Sequence, residues 1–355
     1  MKDQTAAATP VGRPLIIPVF IPHQGCPHRC IFCNQTVITG KTAQTPSPEQ
    51  LCLEVERYLT FGKRTPCTTQ ISFFGGNFLG LDESTVVALL QAATPFVRRN
   101  EVDGIRFSTR PDTVTRRTLS LIQMFPVTTV ELGVQSMNDR VLEVANRGHR
   151  AADTVEAADL LKARGYELGL QMMVGLPGDD DDGAMQTARR MAALRPDFVR
   201  IYPTVVLRGS QLAAWFGAGR YRPMQLAACI ALVKRLYLFF RSLGIAVIRM
   251  GLQASDGLTP AGDFIAGPHH PAFGHLVHGE IVRDAIQSTL DKMETLPEPL
   301  PIASHPRMIS RIQGLNQQNI IHLKKIFGLK RIVLLQDGRM EKSRLMVAGQ
   351  PVSLP

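Results

Sequence analysis

The chain contains 355 residues, of which 45% are hydrophobic and 20% are charged. This composition excludes a disordered chain and predicts a globular protein with one large domain and a smaller one. The formal net charge of +10 permits attraction to a polyanion such as RNA, although charge alone does not establish binding. From Asp291 onward there are ten basic and five acidic residues, so about half of the excess lies in the last fifth of the chain.

The N-terminal segment predicts neither export nor membrane insertion. Residues 1–14 are small, polar and interrupted by proline, and we expect them to be disordered. The apolar run from Leu15 to Ile21 is too short for a signal peptide or a membrane span, and Pro18 and Pro22 make it too rich in proline. The sequence therefore predicts a cytoplasmic protein.

Short apolar or β-branched runs alternate with longer helical patterns along most of the chain. The predicted strands are Leu15 to Ile21, Gln70 to Phe74, Gly104 to Thr109, Thr128 to Gly133, Glu167 to Val174, Asp197 to Tyr202 and Ile245 to Met250. The predicted helices are Glu49 to Phe61, Asp82 to Val97, Pro111 to Met124, Asn138 to Ala145, Asp153 to Arg164, Asp180 to Leu194 and Met224 to Ser242. Such repeated strand–helix units surround a parallel sheet. They predict an α/β fold, a partial (β/α)6 TIM-like barrel open on one side.

The alternation of strand and helix patterns stops near Gly251, where a stretch rich in glycine and proline begins and continues to Pro271. Beyond it, helices are predicted around His278 to Leu290 and over Asn316 to Phe327. We therefore predict three segments, namely a disordered N-terminus over 1–14, a core domain over 15–250 and a small, basic α+β module over 251–355.

Three cysteines lie close together in the loop after the first predicted strand. Cys26, Cys30 and Cys33 occur in the run Cys-Pro-His-Arg-Cys-Ile-Phe-Cys, and no fourth cysteine is close by. Thiolates at this spacing can converge on one metal centre, and a four-iron cluster held by three of them keeps one iron open to a ligand. A structural zinc site would require a fourth ligand, normally from a matching pair downstream, and we find no such pair. The spacing favours an iron–sulfur cluster.

This cysteine spacing, with the aromatic Phe32 before the last cysteine and a strand before the loop, resembles the radical S-adenosylmethionine (SAM) superfamily. The resemblance covers about Ile16 to Met250. It implies a [4Fe-4S] cluster whose open iron chelates the amino and carboxylate groups of SAM and whose reduced form splits SAM to a 5′-deoxyadenosyl radical. It also implies a low-potential electron donor of the ferredoxin or flavodoxin type. The protein then supplies orientation and shielding, and the resemblance places Phe32 among the residues that bind the cofactors.

Two strand ends carry the first implied SAM contacts. Gly75 and Gly76 follow the second predicted strand and let a ligand approach the backbone. Asn77 comes next, where the family often has glutamate. Ser108 ends the third strand region where related branches usually carry a carboxylate, so this position departs from the family pattern. The resemblance implies that all four residues lie at SAM.

The next two strands carry a second set. The resemblance implies that Gln135 and Arg147 reach SAM, with the planar, charged guanidinium meeting the SAM carboxylate. Gln171 would face the ribose, and Gly175 begins a Gly-Leu-Pro-Gly loop that resembles the adenine side of the same branches. As isolated residues, glutamine and arginine are more often exposed surface groups.

The motifs Arg110-Pro-Asp, Glu-Leu-Gly-Val-Gln-Ser and Asn-Arg-Gly-His most resemble the catalytic subunit of Elongator and its bacterial relatives. That protein continues into an acetyltransferase domain, for which the residues after Gly251 are too few. The resemblance implies a substrate in tRNA or another RNA. Two alternatives remain open, a coproporphyrinogen-oxidase-like enzyme that acts on a tetrapyrrole and a haem-carrier-like protein that binds cluster and SAM without turnover.

Other polar groups have a simpler structural interpretation beside a functional one. Four clustered histidines could bind a metal but lack a carboxylate or cysteine partner in sequence, which favours core or substrate contacts: His269, His270, His275 and His278. The run Asp179 to Asp182 more simply caps a helix than binds a metal. Lys324, Lys325, Lys330 and Arg331 lie near a predicted helix end, where they interact with the helix dipole or with RNA phosphates.

The remaining cysteines indicate a reducing compartment. Cys52, Cys67 and Cys229 are scattered among helical and loop patterns, which fits small buried side chains better than a disulfide framework.

Overall fold

The computed structural model describes residues 14–21, 24–35, 37, 45–60, 68–252, 258–259 and 262–354. Segment 1–13 and Cys67 lie outside the described residues, so the predictions of a disordered N-terminus and of a buried Cys67 stay predictions. Within the described ranges, no helix combines the length and apolar character that a membrane span requires.

A parallel sheet forms the core of the chain. The first nine strands are β1 (Leu15–Phe20), β2 (Thr69–Phe74), β3 (Gly104–Thr109), β4 (Val127–Gln135), β5 (Glu167–Val174), β6 (Phe198–Pro203), β7 (Val206–Leu207), β8 (Ala246–Met250) and β9 (Phe264–Ala266). Seven of them form one sheet in the order β1-β2-β3-β4-β5-β6-β8, in which every neighbouring pair is parallel. The short strands β7 and β9 pair separately. The structure confirms the predicted partial barrel, and the strand predicted over Ile245 to Met250 joins its sheet as β8, the seventh strand.

The two faces of this sheet differ in chemistry because side chains alternate along each strand. On one face, apolar side chains such as Phe107 and Leu132 are fully shielded and pack in the main hydrophobic core with the helices. Burial of each such side chain stabilises the fold by roughly 1.5–3 kcal/mol. The opposite, concave face carries polar side chains on the same strands, among them Arg106, Glu131 and Arg200. The concave face therefore supplies groups from which a site can be built.

Helices follow the strands, and those of the barrel cover the outer face of its sheet. They are α1 (Pro48–Thr60), α2 (Glu83–Arg98), α3 (Arg116–Ile122), α4 (Asp139–Val144), α5 (Ala151–Lys162), α6 (Asp181–Ala193), α7 (Gln211–Gly217), α8 (Leu226–Ser242), α9 (Phe273–Leu290), α10 (Ile309–Gln313) and α11 (Gln318–Phe327). Side-chain caps set several of their starts: Asn138 accepts a hydrogen bond from the backbone of Arg140 at the start of α4. These helix starts lie beside the strand ends that the motifs follow.

The C-terminal module has its own sheet and its own core. Its strands are β10 (Leu300–Ser304), β11 (Ile332–Gln336), β12 (Arg344–Val347) and β13 (Gln350–Ser353), in the order β11-β10-β12-β13. The first half of α9 packs in the barrel core, whereas its second half, including Val282, Ile286 and Leu290, packs in the module core. One helix thus belongs to both cores, and the boundary near Gly251 stays a prediction.

Two predicted helices differ from the observed ones for local reasons. The predicted helix from Pro111 to Met124 is a short 3-10 turn followed by α3, because Thr115 forms a capping box with Thr118 that starts a new helix. Helix α9 begins at Phe273, five residues before the predicted start at His278. Early glycines at positions 274 and 279 weaken the helical pattern in the sequence.

Candidate active site

The predicted site residues follow the carboxyl ends of neighbouring strands. The cysteine loop follows β1, Gly75 and Gly76 follow β2, Ser108 is the penultimate residue of β3, and Gln135 ends β4. The carboxyl ends of parallel strands meet at one edge of a barrel, where such folds place their active sites. The fold therefore brings these distant motifs to one edge.

Hydrogen bonds fix the cysteine loop against the segment that follows α4. The backbone N–H of Ile31 donates to the carbonyl of Ala145 at 3.2 Å. The side-chain Nδ2 of Asn146 donates to the carbonyl of Arg29 at 2.9 Å. The loop is thereby held beside Arg147, although 117 residues separate Arg29 from Asn146.

The three cysteine thiols share a largely buried environment. Cys30 is 8% exposed, and Cys26 and Cys33 are partly exposed. Burial, and then the neighbouring thiols, raise the pKa of Cys33 to about 12, and burial followed by Cys30 raises the pKa of Cys26. A metal that binds these thiols must displace their protons. In the part of the chain that the structure describes, no three His, Cys, Asp or Glu side chains form a group that could hold a metal ion as they stand.

Arg147 connects the cysteine loop to the end of β4. Its Nη1 donates to Sγ of Cys30 at 3.2 Å, and its Nη2 donates to the carbonyl of Gly133 at 2.5 Å. Its Nε is buried and has no hydrogen-bond partner among the described residues. Arg147 also lowers the pKa of Cys26 and Cys33 against the effect of burial. A guanidinium in this position favours a thiolate over a thiol.

A second buried guanidinium lies near the same thiols. Arg110 is 3% exposed and forms two hydrogen bonds of 2.9 Å with the Asp112 carboxylate. Its Nη1 is buried without a partner in the described ranges, and its charge lowers the pKa of Cys26. Three thiols beside two buried guanidiniums are a donor set that fits an anionic, thiolate-bound iron–sulfur cluster.

Gln135 lies where β4 leaves regular strand geometry. Its φ is 65°, and the pairing of β4 with β5 shifts register between Gly133 and Gln135. A bulge beside a site re-aims a side chain, and a non-glycine residue at positive φ persists where its surroundings hold it. Here Oε1 of Gln135 accepts a hydrogen bond from Nε2 of Gln171 at 3.1 Å. A methyl group on Gly133 would lie 3.1 Å from the Gln135 side chain and 3.2 Å from that of Arg147.

Together these residues form what we call the strand-edge site, which consists of Cys26, Cys30, Cys33, Gln135, Arg147 and Gln171. The side chains of Gln135 and Arg147 both lie at Gly133. Gln171 donates a hydrogen bond to Gln135, and Arg147 donates one to Cys30. Their roles toward a cluster or SAM stay predictions.

Asn77 is fully buried and links three parts of the site region. Its Nδ2 donates to the carbonyl of Gly25 at 2.7 Å, in the cysteine loop. Its Oδ1 accepts from the backbone of Arg110 at 2.9 Å and from the hydroxyl of Thr109 at 2.7 Å, at the end of β3. Because both ends of the amide are engaged, this geometry favours a structural role, and the SAM contact of Asn77 stays a prediction.

The glycine pair before Asn77 is required by the turn itself. A Cβ on Gly76 would lie 2.4 Å from the carbonyl oxygen of Ile21 and 2.5 Å from that of Gln24. Gly75 has a φ of 100°, which side chains other than hydrogen disfavour. The fold therefore explains both glycines without a ligand, and their approach to SAM stays a prediction.

The remaining predicted contacts border the same region. Ser108 is partly buried and lies in register with Glu131 on the neighbouring strand. Phe32 is partly buried against two small apolar clusters. Gly175 has a φ of 76°, and its carbonyl accepts a hydrogen bond from the hydroxyl of Tyr221 at 2.7 Å. Their contacts with SAM are likewise still predictions.

Sequence reasoning missed a charged network on the concave face. The Glu131 carboxylate pairs with Nε of Arg106 at 2.5 Å and with Nε of Arg200 at 2.8 Å. The guanidiniums lie over the rings of Phe198 and Phe74, at 4.6 Å and 5.2 Å. One carboxylate between two cations leaves an excess positive charge inside the barrel. The available signal was a charged residue at inward positions of strands that are otherwise apolar.

His149 was also missed as a neighbour of the site. It is 4% exposed, and neither ring nitrogen has a hydrogen-bond partner in the described chain. Burial, and then the charges of Arg147 and Arg110, lower its pKa to about 3. The ring is therefore neutral at physiological pH.

The clustered histidines pack against aromatic rings. His275 and His278 both lie on α9, and the ring of His278 meets Tyr237 edge-on with centroids 5.0 Å apart. The ring of His269 lies 5.4 Å from that of Phe264. These contacts favour the packing interpretation of the cluster over a metal site.

The predictions for the acidic run and the remaining cysteines have mixed outcomes. Asp180 is the N-cap of α6 and accepts a hydrogen bond from the backbone of Gly183 at 2.8 Å, which confirms the predicted cap. Burial raises the pKa of the preceding Asp179 to about 6. Cys229 is fully buried in the barrel core as predicted, whereas Cys52 is only partly buried.

Comparisons with known proteins agree with this geometry. The family model for the radical SAM superfamily matches residues 20–191, and the model for the radical SAM C-terminal domain matches residues 196–283. An uncharacterized protein of Methanocaldococcus jannaschii is 30% identical over 222 residues, which are 59% of this chain and 67% of that protein. A tRNA uridine(34) acetyltransferase of Dehalococcoides mccartyi is 27% identical over 231 residues, which are 56% of this chain and 50% of that protein.

A solved structure shares the fold. The archaeal Methanocaldococcus infernus Elp3 with an N-terminal deletion superposes with a TM-score of 0.59 and 19% identity, over 77% of this chain and 63% of that one. This likeness confirms the barrel, and the two family models together cover the cysteine loop, six of the seven barrel strands (β2 to β6 and β8) and the first half of α9. The chain therefore belongs to the radical SAM superfamily of enzymes.

Proposed function

We propose that this protein cleaves SAM reductively at the strand-edge site and uses the resulting radical to modify RNA, with a base in tRNA as the leading substrate. The observation that carries the proposal is Arg147, whose guanidinium spans from Sγ of Cys30 to the carbonyl of Gly133. This contact joins the cysteine loop to the strand end that carries Gln135. Membership of the superfamily implies the [4Fe-4S] cluster and SAM as cofactors.

In this proposal the chain holds and shields the cofactors. Cys26, Cys30 and Cys33 would hold the cluster, and the cluster and SAM together supply one-electron chemistry that yields a 5′-deoxyadenosyl radical. Arg147 donates a hydrogen bond to Sγ of Cys30, and its Nε–H, which has no partner among the described residues, could bind an anionic group. Gln135 and Gln171 hold each other's side-chain orientation.

The surroundings of the site support radical chemistry. His149 stays neutral, so it adds no charge beside the cysteine loop. Phe32, inside the cysteine loop, packs against two small apolar clusters, and such packing limits the access of water to a reactive intermediate. A ferredoxin or flavodoxin type donor would deliver the electron, and a reducing cytoplasm would keep the thiols reduced.

The RNA substrate is supported by charge and by relatives. The formal net charge is +10, and the concave face adds the excess cation of the Arg106–Glu131–Arg200 network. One relative carries the name tRNA uridine(34) acetyltransferase, and this chain spans half of its length. From that name we therefore propose only the RNA substrate for this chain, and not the transfer of an acetyl group.

The test is an anaerobic assay of SAM cleavage. Protein with a reconstituted, reduced cluster is mixed with SAM, and 5′-deoxyadenosine is measured with and without bulk tRNA. We expect cleavage, and we expect tRNA to stimulate it. Cleavage that tRNA leaves unchanged would contradict the RNA substrate, and no cleavage from a full, reducible cluster would contradict the enzyme and favour the carrier alternative.

The tetrapyrrole alternative requires cations for propionate groups. Arg106 and Arg200 are the inward-facing candidates, but both already pair with Glu131. Stimulation by a tetrapyrrole instead of tRNA, with no salt-dependent tRNA retention, would favour this alternative.

A further inference from the structure

A cleft that the strand-edge site does not use lies between the barrel helices and the C-terminal module. Its volume is about 550 Å³, within the range of small-ligand sites. One wall comes from α8 and α9, and the other comes from α10 and the turn between β11 and β12. We call it the module cleft and define it by Tyr237, His278, His305, Arg311, Met340 and Lys342.

The module cleft carries positive charge without ion partners. Arg311 and Lys342 line it, and neither forms a salt bridge in the described ranges of the chain. Glu341 also lines it, but its carboxylate pairs with Arg344 at 3.3 Å. Two cations without ion partners are therefore available to a bound anion.

The opposite wall is aromatic and uncharged. Tyr237 is 8% exposed, and its ring holds that of His278 edge-on at 5.0 Å. Burial, and then the charges of Arg311, His275 and Arg241, lower the pKa of His278 to about 4, so this ring is neutral at pH 7. Cations on one side and neutral rings on the other suit a ligand with an anionic group next to a flat apolar one.

We infer that the module cleft binds a phosphorylated nucleotide unit, with the phosphate at Arg311 and Lys342 and the base toward Tyr237 and His278. Such a unit could belong to an RNA strand or to a free nucleotide. Lys342 lies exposed on the surface, where a long strand can reach it, and this favours RNA. The choice of RNA rests on the proposed function. The cleft would then grip RNA at a distance from the reacting base.

The experiment uses the full chain and two probes, bulk tRNA and uridine 5′-monophosphate, which lacks the adenine that a SAM site would hold. The cleft variant is Arg311→Ala with Lys342→Ala. The matched control is Arg116→Ala with Arg189→Ala, which removes the same charge from two exposed positions on α3 and α6 of the barrel, outside the cleft. If the double variant does not fold, the single variant Lys342→Glu replaces it, because Lys342 lies on an exposed turn.

We expect the cleft variant to bind tRNA about tenfold more weakly at 0.1 M salt and to lower the salt slope by about one to two. The control should lose less affinity, and SAM cleavage without tRNA should be unchanged in both. If the cleft variant, and not the control, also loses binding of uridine 5′-monophosphate, then the cleft binds free nucleotide as well as RNA. If wild-type protein retains no tRNA but binds the nucleotide through the cleft, the proposed function fails and the cleft assignment stands. If the cleft variant matches the control with both probes, the inference is overturned.

Discussion

The strand-edge site and the C-terminal module place their charges in opposite ways. At the strand edge, Arg110 and Arg147 are buried, and fixed partners such as Asp112 and the Cys30 thiol hold them. In the module, Lys342 is exposed and has no salt bridge in the described chain. Buried charges need partners at set positions, whereas exposed charges are solvated wherever they lie. The strand-edge site should therefore be sensitive to the position of individual atoms, whereas binding at the module should follow its total charge.

The largest expected effect is loss of the cluster from the strand-edge site. Cys30→Ala should abolish the brown chromophore after anaerobic reconstitution, because two remaining thiolates are too few for a four-iron cluster. Cys229→Ala is the control, since this cysteine is buried in the barrel core away from the loop. Absorbance and iron content check the result. Equal losses from both variants would remove the ligand assignment.

A substitution at the glycine turn should disrupt the strand edge as a unit. In Gly76→Ala the new methyl group would lie within 2.5 Å of backbone oxygens of the cysteine loop, and the backbone must move. Overpacking of this kind costs about 1–3 kcal/mol in the free energy of unfolding. Gly217→Ala, where no atom lies within 4 Å, should be neutral or stabilising. Denaturant unfolding compares the two, and equal stabilities would contradict the observed packing.

Asn77→Asp tests whether Asn77 is structural. In the wild-type chain, Nδ2 of Asn77 donates to the carbonyl of Gly25 at 2.7 Å. The substitution puts a carboxylate oxygen in place of this donor, facing the carbonyl oxygen, and should lower the free energy of unfolding by about 2 kcal/mol. Asn100→Asp, on an exposed turn, serves as the control and should change little. Unchanged stability with weaker SAM binding would instead support the predicted ligand role.

A smaller effect is expected from pH at the loop before α6. The pKa of Asp179 is about 6 in the folded chain, above its ordinary value of 3.8, so the folded state binds this proton more tightly. Its contribution to stability is therefore present below pH 4 and is lost as the pH rises to about 6. Asp179→Asn should raise the free energy of unfolding at pH 8 by about 1 kcal/mol after allowance for solvent screening. Thermal unfolding at pH 4 and 8 measures it.

The control for this pH effect is Asp182→Asn, an exposed member of the same acidic run. It should change stability by a few tenths of a kcal/mol at both pH values, through the helix dipole alone. A gain from Asp182→Asn as large as that from Asp179→Asn would show that the net acidity of the run matters and not the burial of one carboxyl.

The same contrast explains which features could be predicted from the sequence. Long alternating segments gave the barrel, since strands such as Gly104–Thr109 and Glu167–Val174 have the predicted bounds. The cysteine loop was singled out because cluster chemistry restricts residue type and spacing, whereas Arg147 was named through the family resemblance, and the roles of both stay predictions. The Arg106–Glu131–Arg200 network was missed, because its partners are 25 or more residues apart and meet only when the sheet forms.

The module was predicted only as a compact basic α+β unit. Its four strands have four or five residues each, too few for a clear alternation. The role of α9 in both cores was also beyond the sequence, since it depends on which elements pack against each half. The module cleft depends on the same packing and has no motif of its own.

In the proposed function, the strand-edge site holds a cluster with one iron open to SAM. The most direct measurement is the electron paramagnetic resonance spectrum of the reduced, reconstituted protein before and after addition of SAM. We predict that SAM shifts the g values of the cluster in wild-type protein and that Arg147→Met retains the cluster but requires at least tenfold more SAM for the same shift. If SAM leaves the spectrum of a fully loaded cluster unchanged, no iron of the cluster is open to SAM and the proposed site is wrong.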